Sequence, residues 1–389
     1  MVPIKYNIRS IRARWVSSLM TVIGTGLVVW ASVLAFGLSE GLNHTLEVSG
    51  EPSDLIIMRK GSTAETNSSV SESVAREIET LAGIAVNAEG AKLCSPELVV
   101  LDNVPRRGNG AGNANMMVRG VTPVAKELRG GFKIVEGREN RPGVREAITS
   151  RSMAKRFVGA GLGEQLYAID SEPFLIVGLF EAGQGATESE VWSDIEVVAQ
   201  AAKRTGVRSS IQLRTNNPTD AAALTDRIKN DEQFGLDAIS EPAYFAEQAN
   251  SGMALKIVGR TIAIILTIGA MFAVANTMYA AVASRAREIG TLRAVGFGRM
   301  TVLLSFLLES ILLCVAGGVL GCLGVLPLNG LSTGTANWQT FSELTFAFRF
   351  GPMVLAQALL LALFMGTAGG LFPAIRATRL KIVDALREI

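Results

Sequence analysis

The side chains best suited to do work in this chain lie between Arg285 and Gly296, where arginines, a glutamate and an apolar stripe share one helix-prone segment. Ala286, Ile289, Leu292 and Val295 recur every three residues, so a helix lines them along one side with Arg285, Glu288 and Arg293 flanking them. Arg285 and Glu288 are spaced to pair across one turn. Gly290 is costly inside a helix, whereas Gly296 suits the position just past its end. A plain connector would need the charges but not the stripe; a stripe with charged flanks suits a helix docking into a groove of a soluble partner. Other chemistry is poorly supplied. There is no Gly-x-x-x-x-Gly-Lys-Ser/Thr loop to cradle ATP and no Gly-x-Ser-x-Gly nucleophile turn. The single histidine, His44, leaves no Ser–His or Cys–His pair. With only Cys94, Cys314 and Cys322 beside it, no Cys/His metal set can be assembled and the outer segment has no disulfide framework. The expectation is a non-catalytic chain with neither metal nor cofactor of its own.

The elements that must position this segment are membrane spans. Hydrophobic residues make up 49% of the 389, and the mean hydropathy is +0.33. Four runs, 16–38, 261–283, 302–328 and 352–372, carry almost no charge. Each reaches the roughly 20 residues that cross a bilayer core. The first is longer than the apolar part of a signal peptide and no small-x-small site follows it, so it reads as a retained span. Lys5, Arg9, Arg12 and Arg14 precede it; Arg285, Arg287, Arg293 and Arg299 separate spans two and three; Arg376, Arg379, Lys381 and Arg387 follow span four. Against these twelve stand Glu288, Asp384 and Glu388, while the loop between spans three and four holds only Arg349 and Glu343. The positive-inside rule therefore puts both termini and residues 284–301 in the cytoplasm and 39–260 outside. The net charge of +2 hides this asymmetry, and the outer part, mildly acidic, lacks the basic patch that nucleic acid requires.

The expected layout is a cytoplasmic segment 1–15, span one 16–38, an outer α+β domain 39–241, a stalk running into span two over 242–283, the coupling segment 284–301, span three 302–328, an outer loop 329–351, span four 352–372 and a cytoplasmic tail 373–389. In the outer domain strands are expected at Asp54–Met58, Glu97–Leu101, Met116–Val121, Phe132–Val135 and Ser210–Arg214, with a hairpin pairing Gln165–Ile169 and Phe174–Phe180. Helices are expected through Leu81 from a capping box at Ser69, over Arg151–Phe157, over Asp194–Arg204 and from Pro218 to Asp231. Asn103–Asn115, rich in glycine and asparagine, reads as a long mobile loop or hairpin. Inside the membrane Glu309 is a candidate for pairing or coupling. The Gly317-x-x-x-Gly321 spacing permits close helix contact, within one subunit or between two.

The residues Arg285-x-x-Glu288-Ile289-Gly290-x-Leu292-Arg293-Ala294-x-Gly296 resemble the signature of the FtsX/MacB permease superfamily, the type VII ABC transporters. Pro373, Arg376 and Leu380, followed by Leu386 and Arg387, resemble its closing motif. Glu309 and the glycines from Gly317 resemble its third span, and Val135-Glu-Gly-Arg138 an element of the MacB-type outer domain. The resemblance implies four spans with a MacB-like periplasmic α+β domain between the first two, a homodimeric permease in the inner membrane, and a coupling helix at Arg285–Gly296 seated on an ATPase. ATP and Mg would bind that ATPase, which, since this sequence holds no fused nucleotide-binding domain, is expected on a partner chain as in DevC-type systems. It further implies mechanotransmission to the outer domain, a periplasmic adaptor protein and an outer-membrane channel. Two other functions share the same inner motifs: an FtsX-like regulator of a cell-wall enzyme and a lipoprotein-releasing permease of the LolC/LolE kind.

Overall fold

A computed structural model describes residues 14–379 apart from 49, 109–111, 184, 252 and 338. The chain divides into two compact units, one made of 1–40, 254–331 and 348–389, the other of 41–253 and 332–347.

Among the described residues four helices, lying wholly or mostly in the first unit, are long and apolar enough to cross a membrane: Trp15–Leu46, Ile257–Ala283, Arg299–Leu328 and Pro352–Arg379. They are apolar all round, as helices facing lipid must be. Several of their hydroxyls bond back along the same helix, Thr25 to the Thr21 carbonyl at 2.8 Å and Thr267 to that of Ala263 at 2.6 Å. Glycines set how closely the helices approach. A methyl group at Gly321 would lie 2.6 Å from the Gly26 carbonyl, and one at Gly317 would collide with Thr25 and Val22. The Gly317–Gly321 face is thus filled by span one of the same subunit. Span four meets span three through Gly366 and Gly370, with the Ser310 hydroxyl donating to the Gly366 carbonyl at 2.8 Å, and meets span two through Gly369 against Met271 and Val274. Span four was expected to stop before Pro373. Its helix carries on to Arg379, and Pro373 merely forgoes one backbone bond.

The second unit is built on strands β1 (Asp54–Arg59), β2 (Val70–Ser71), β3 (Cys94–Pro105), β4 (Asn113–Val121), β5 (Phe132–Gly137), β6 (Glu146–Ser150), β7 (Gln165–Leu166), β8 (Phe174–Ala182), β9 (Glu190–Asp194), β10 (Val207–Arg208), β11 (Ser210–Arg214) and β12 (Leu236–Ser240). Among the described residues one mixed sheet runs β12-β1-β11-β3-β4-β9-β6-β8-β5, with β7 on β8. The long strand β3 joins two halves, pairing through Cys94–Glu97 with β11 and through Leu98–Pro105 with β4. Each half has its own core. On β1, Leu55 and Ile57 pack with helices Glu72–Thr80 and Pro218–Asn230, while Ile56 and Met58, pointing the other way, pack on Tyr244 of helix Glu241–Ser251. In the other half, Met116, Val118, Phe174 and Val191 pack with helices Arg151–Arg156 and Ile195–Ala201.

Two expectations need correction here. Of the two readings of Asn103–Asn115, hairpin or loop, the structure has the hairpin: β3 runs to Pro105 and β4 starts at Asn113, and Asn103 donates its amide to Asn115 across the ladder at 3.0 Å. The helix expected from Ser69 is capped two residues later by Ser71, whose hydroxyl accepts from the Val74 amide. Residues 329–351 are not a plain loop. They contain a hairpin of β13 (Ser332–Ala336) and β14 (Glu343–Ala347), which belongs to the second compact unit. The stalk expected over 242–283 is helical over Glu241–Ser251 and again from Met253; Gly252, read as its one weak point, lies outside the described residues.

Candidate coupling site

Residues Ala286–Ala294 form a short helix between spans two and three. It ends as a left-handed glycine allows: Gly296 has φ +108°, its amide donates to the Arg293 carbonyl at 3.2 Å, and the Phe297 amide reaches back to Leu292 at 3.1 Å. The start is held by ion pairing. Arg285 directs its guanidinium onto Glu309 of span three, at 2.9 and 3.4 Å, and lies over the Phe306 ring at 5.8 Å. Both charged residues are buried, 6% and 3% exposed, so each is the other's replacement for water. Two further arginines secure the surroundings. Arg14 donates to the Ala281 carbonyl at 3.0 Å and to the Ser284 hydroxyl at 2.9 Å at the end of span two, and Arg293 donates to the Thr378 carbonyl near the end of span four at 3.3 Å. Arg376 lies over the Tyr279 ring at 5.6 Å.

The apolar stripe divides. Ala286 and Ile289 are buried, Ile289 in a cluster with Val274, Met278, Val302, Phe306 and Ala374 from spans two, three and four. Gly290 is buried beside them, Leu292 is half-buried, and Val295 is 75% exposed. The outward face consists of Arg287, Glu288, Thr291, Ala294 and Val295. The side chains Arg285 and Ile289, expected to meet a partner, therefore bind the helix to its own spans. Arg287 and Thr291, which sequence reasoning passed over, stand outside; they fall on the helical side opposite the buried set, a signal available once Ile289 is known to face inward. Of the closing motif, Pro373 and Arg376 lie on the span-four helix, whereas Leu380, Leu386 and Arg387 lie outside the described residues. Among the described residues no cluster of His, Cys, Asp or Glu is arranged to hold a metal.

Sequence reasoning also missed a buried charge cluster in the outer unit. Arg119 on β4 is 3% exposed and bonds Glu65, Glu97 and Glu190 at 2.7–2.9 Å, while Arg129 grips Glu97 at 2.7 and 2.8 Å. Burial alone would raise the Glu65 carboxyl, but the charge and hydrogen bonds of Arg119 outweigh it and hold it at about 2. Nearby Glu241 has no such guanidinium grip. It accepts the Glu51 amide at 3.0 Å, and burial pushes its carboxyl up to about 8. The Val135–Arg138 element is structural: Gly137 has φ +76° where a side chain would strike the Val177 carbonyl, and Arg138 pairs with Glu146 at 2.5 Å.

Four helices able to span a membrane, with a large α/β domain inserted after the first and a short anchored helix between the second and third, define a multi-pass membrane protein of permease build. Its sequence matches the MacB-like periplasmic core domain over residues 18–231, more than half of the chain, and the FtsX-like permease C-terminal domain over 260–382. The chain belongs to the MacB/FtsX family of ABC transporter permeases. It is 24% identical over 404 residues to a macrolide export ATP-binding/permease protein MacB of Bdellovibrio bacteriovorus, covering 95% of this chain and 58% of that protein. It is 29% identical over 278 residues to a pyoverdine export ATP-binding/permease protein PvdT of Pseudomonas entomophila, covering 66% of this chain and 40% of that one. The chain thus spans well under two thirds of the length of these relatives. Among solved structures it is similar to the periplasmic region of MacB from Actinobacillus actinomycetemcomitans, at 13% identity and a TM-score of 0.38 over 52% of this chain and 94% of that one.

Proposed function

We propose that this chain is the permease component of a MacB/DevC-like ABC exporter, in which movement of an ATPase at the Ala286–Ala294 helix is carried to the outer domain by mechanotransmission. ATP and Mg would bind the ATPase, on a partner chain. The permease would work as a homodimer in the inner membrane, with both termini cytoplasmic and a periplasmic adaptor and outer-membrane channel as further partners. The observation that carries this reading is the division of labour on the short helix. Arg285 and Ile289 fix it to three spans, while Arg287, Glu288, Thr291 and Val295 remain outward. A helix so held turns a push on its outer face into displacement of the spans it grips.

The test is co-purification of the full chain with an ABC ATPase, identified by its phosphate-loop peptides and its nucleotide hydrolysis. Arg287→Glu with Val295→Asp reverses a charge and buries a carboxylate in the docking face, and should lower recovery of the ATPase at least about tenfold, a loss of ~1.4 kcal/mol. Asp226→Ala on the outer domain should leave recovery unchanged. Equal recovery with the double variant would remove the helix from the contact.

A further inference from the structure

The hairpin β13–β14 is covalently part of the link between spans three and four, yet it is packed as part of the outer domain. One carboxylate holds it. Glu343, 3% exposed, receives Arg106 from the end of β3 through Nε at 2.9 Å and Nη2 at 2.6 Å, and pairs with Arg156 from the end of helix Arg151–Arg156. Smaller contacts surround it. The Thr345 amide donates to the Ser189 hydroxyl at 2.8 Å, Asn115 donates to the Phe341 carbonyl at 2.9 Å, and Asn337 donates to Gln248 at 2.7 Å. Leu344 and Phe346 are buried, and Gly41 comes so close that a side chain there would strike the Ala347 carbonyl. A loop that only joined two spans would need none of this.

We propose that the hairpin is a clasp tying spans three and four to the outer domain, with Glu343 as its positioning residue. The chain crosses between the two units four times, at 40–41, 253–254, 331–332 and 347–348. The first two crossings are the stalks of spans one and two. The clasp makes the other two mechanical links as well, so that displacement of span three, to which Glu309 ties the coupling helix, reaches the outer domain without passing through the stalks. Charge explains why one residue suffices. Without the Glu343 carboxylate, Arg106 and Arg156 face each other across the hairpin, unpaired and mutually repelling. The clasp is a property of this chain alone; its use in transmission rests on the permease reading.

The experiment uses the full chain in lipid nanodiscs, without ATPase or substrate, so that failure of the clasp and failure of the permease reading are separable. Spin labels at Asp226→Cys and Leu326→Cys report the distance between the outer domain and the outer end of span three; the native cysteines are buried. Hydrogen exchange reports the β14 amides. Glu343→Gln should accelerate exchange of the Glu343–Ala347 amides at least about tenfold, which is ~1.4 kcal/mol of local opening, and broaden the distance distribution about twofold relative to the starting protein. Glu343→Asp should keep both near the starting values. In the Glu343→Gln background, a disulfide between Ser189→Cys and Thr345→Cys should restore the narrow distribution, which a misfolded domain would not allow. Unchanged exchange in Glu343→Gln would overturn the role of Glu343. Faster exchange with an unchanged distribution would overturn the mechanical link.

Discussion

At the scale of single residues the two units solve the same problem differently. Each buries charged groups, and each buried charge must be answered by a partner or by a proton. In the membrane unit Arg285 and Glu309 answer each other. Glu309→Gln leaves the arginine without its counter-charge and should destabilise the protein by ~3–5 kcal/mol, the usual result of breaking a buried pair. The exchange Arg285→Glu with Glu309→Arg should recover part of that loss, and Arg285→Met with Glu309→Leu most of it. Melting of the detergent-solubilised protein measures all three. In the outer unit Glu65 is answered by Arg119, whereas Glu241 is answered by a proton. Because the folded state holds that proton up to about pH 8 and an unfolded glutamate releases it near 4.5, the folded chain binds more protons in between, and this site's contribution to stability falls as pH rises through that window. Glu65 works in the opposite sense, losing its contribution as pH falls from about 4.5 towards 2. Glu241→Gln, which cannot ionise, should therefore match the parent near pH 4.5 and exceed it in melting temperature at pH 9. The gain should be at least the ~2–4 °C that 1 kcal/mol represents in a domain of this size. A melting curve that keeps the parent's dependence on pH would show that Glu241 is not the group responsible.

At the scale of elements, glycine placement decides what a helix can touch. Gly24 and Gly321 both sit in span helices, but nothing lies within 4 Å of a methyl group built at Gly24, while one at Gly321 meets the backbone of span one. Gly24→Ala should stabilise by about 0.5–1 kcal/mol through helix propensity alone. Gly321→Ala should destabilise, because the atom it meets is a carbonyl that cannot rotate away. Comparing the melting of the two variants checks both signs. What was legible in the sequence followed from the same physics. The spans were legible because twenty uncharged residues have few other uses. Helix Pro218–Asn230 was legible because Asn217 and Pro218 mark its start. The ends of β3 and β4 stayed undecided between loop and hairpin because Asn103 and Asn115 satisfy each other across the ladder, a contact between residues that look like loop formers when read singly. Strand β9 was hidden because Glu190 looks solvated until Arg119 and Trp192 are seen bonding it. Strand β12 and the β13–β14 hairpin escaped for a related reason: their partners are distant in sequence or in the next turn, and Ser332–Ala336 has no apolar alternation to betray it. At the coupling site the helix and its terminating Gly296 could be read locally. Which face turned inward could not, because the deciding contact, Arg285 with Glu309, joins residues 24 apart on separate helices.

At the scale of the whole molecule, every functional statement depends on which side of the membrane each unit occupies. The charge distribution argues one way only. Twelve basic residues lie in the short segments assigned to the cytoplasm, and by the same rule the large α/β domain falls on the other side. Accessibility to a membrane-impermeant maleimide settles the assignment. Val295 on the coupling helix is 75% exposed, and Asp226 on the outer domain is also at the surface. The native cysteines contribute little background, since all three are buried and burial pushes the Cys94 thiol up to about 12, far from its reactive thiolate. In spheroplasts Asp226→Cys should label fully from outside, and Val295→Cys only after the membrane is opened. Labelling of Val295→Cys in sealed spheroplasts would place the coupling helix on the side without ATP. The clasp would then still join spans three and four to the large domain, since it depends on this chain alone, but the short helix would have no nucleotide-driven partner to follow.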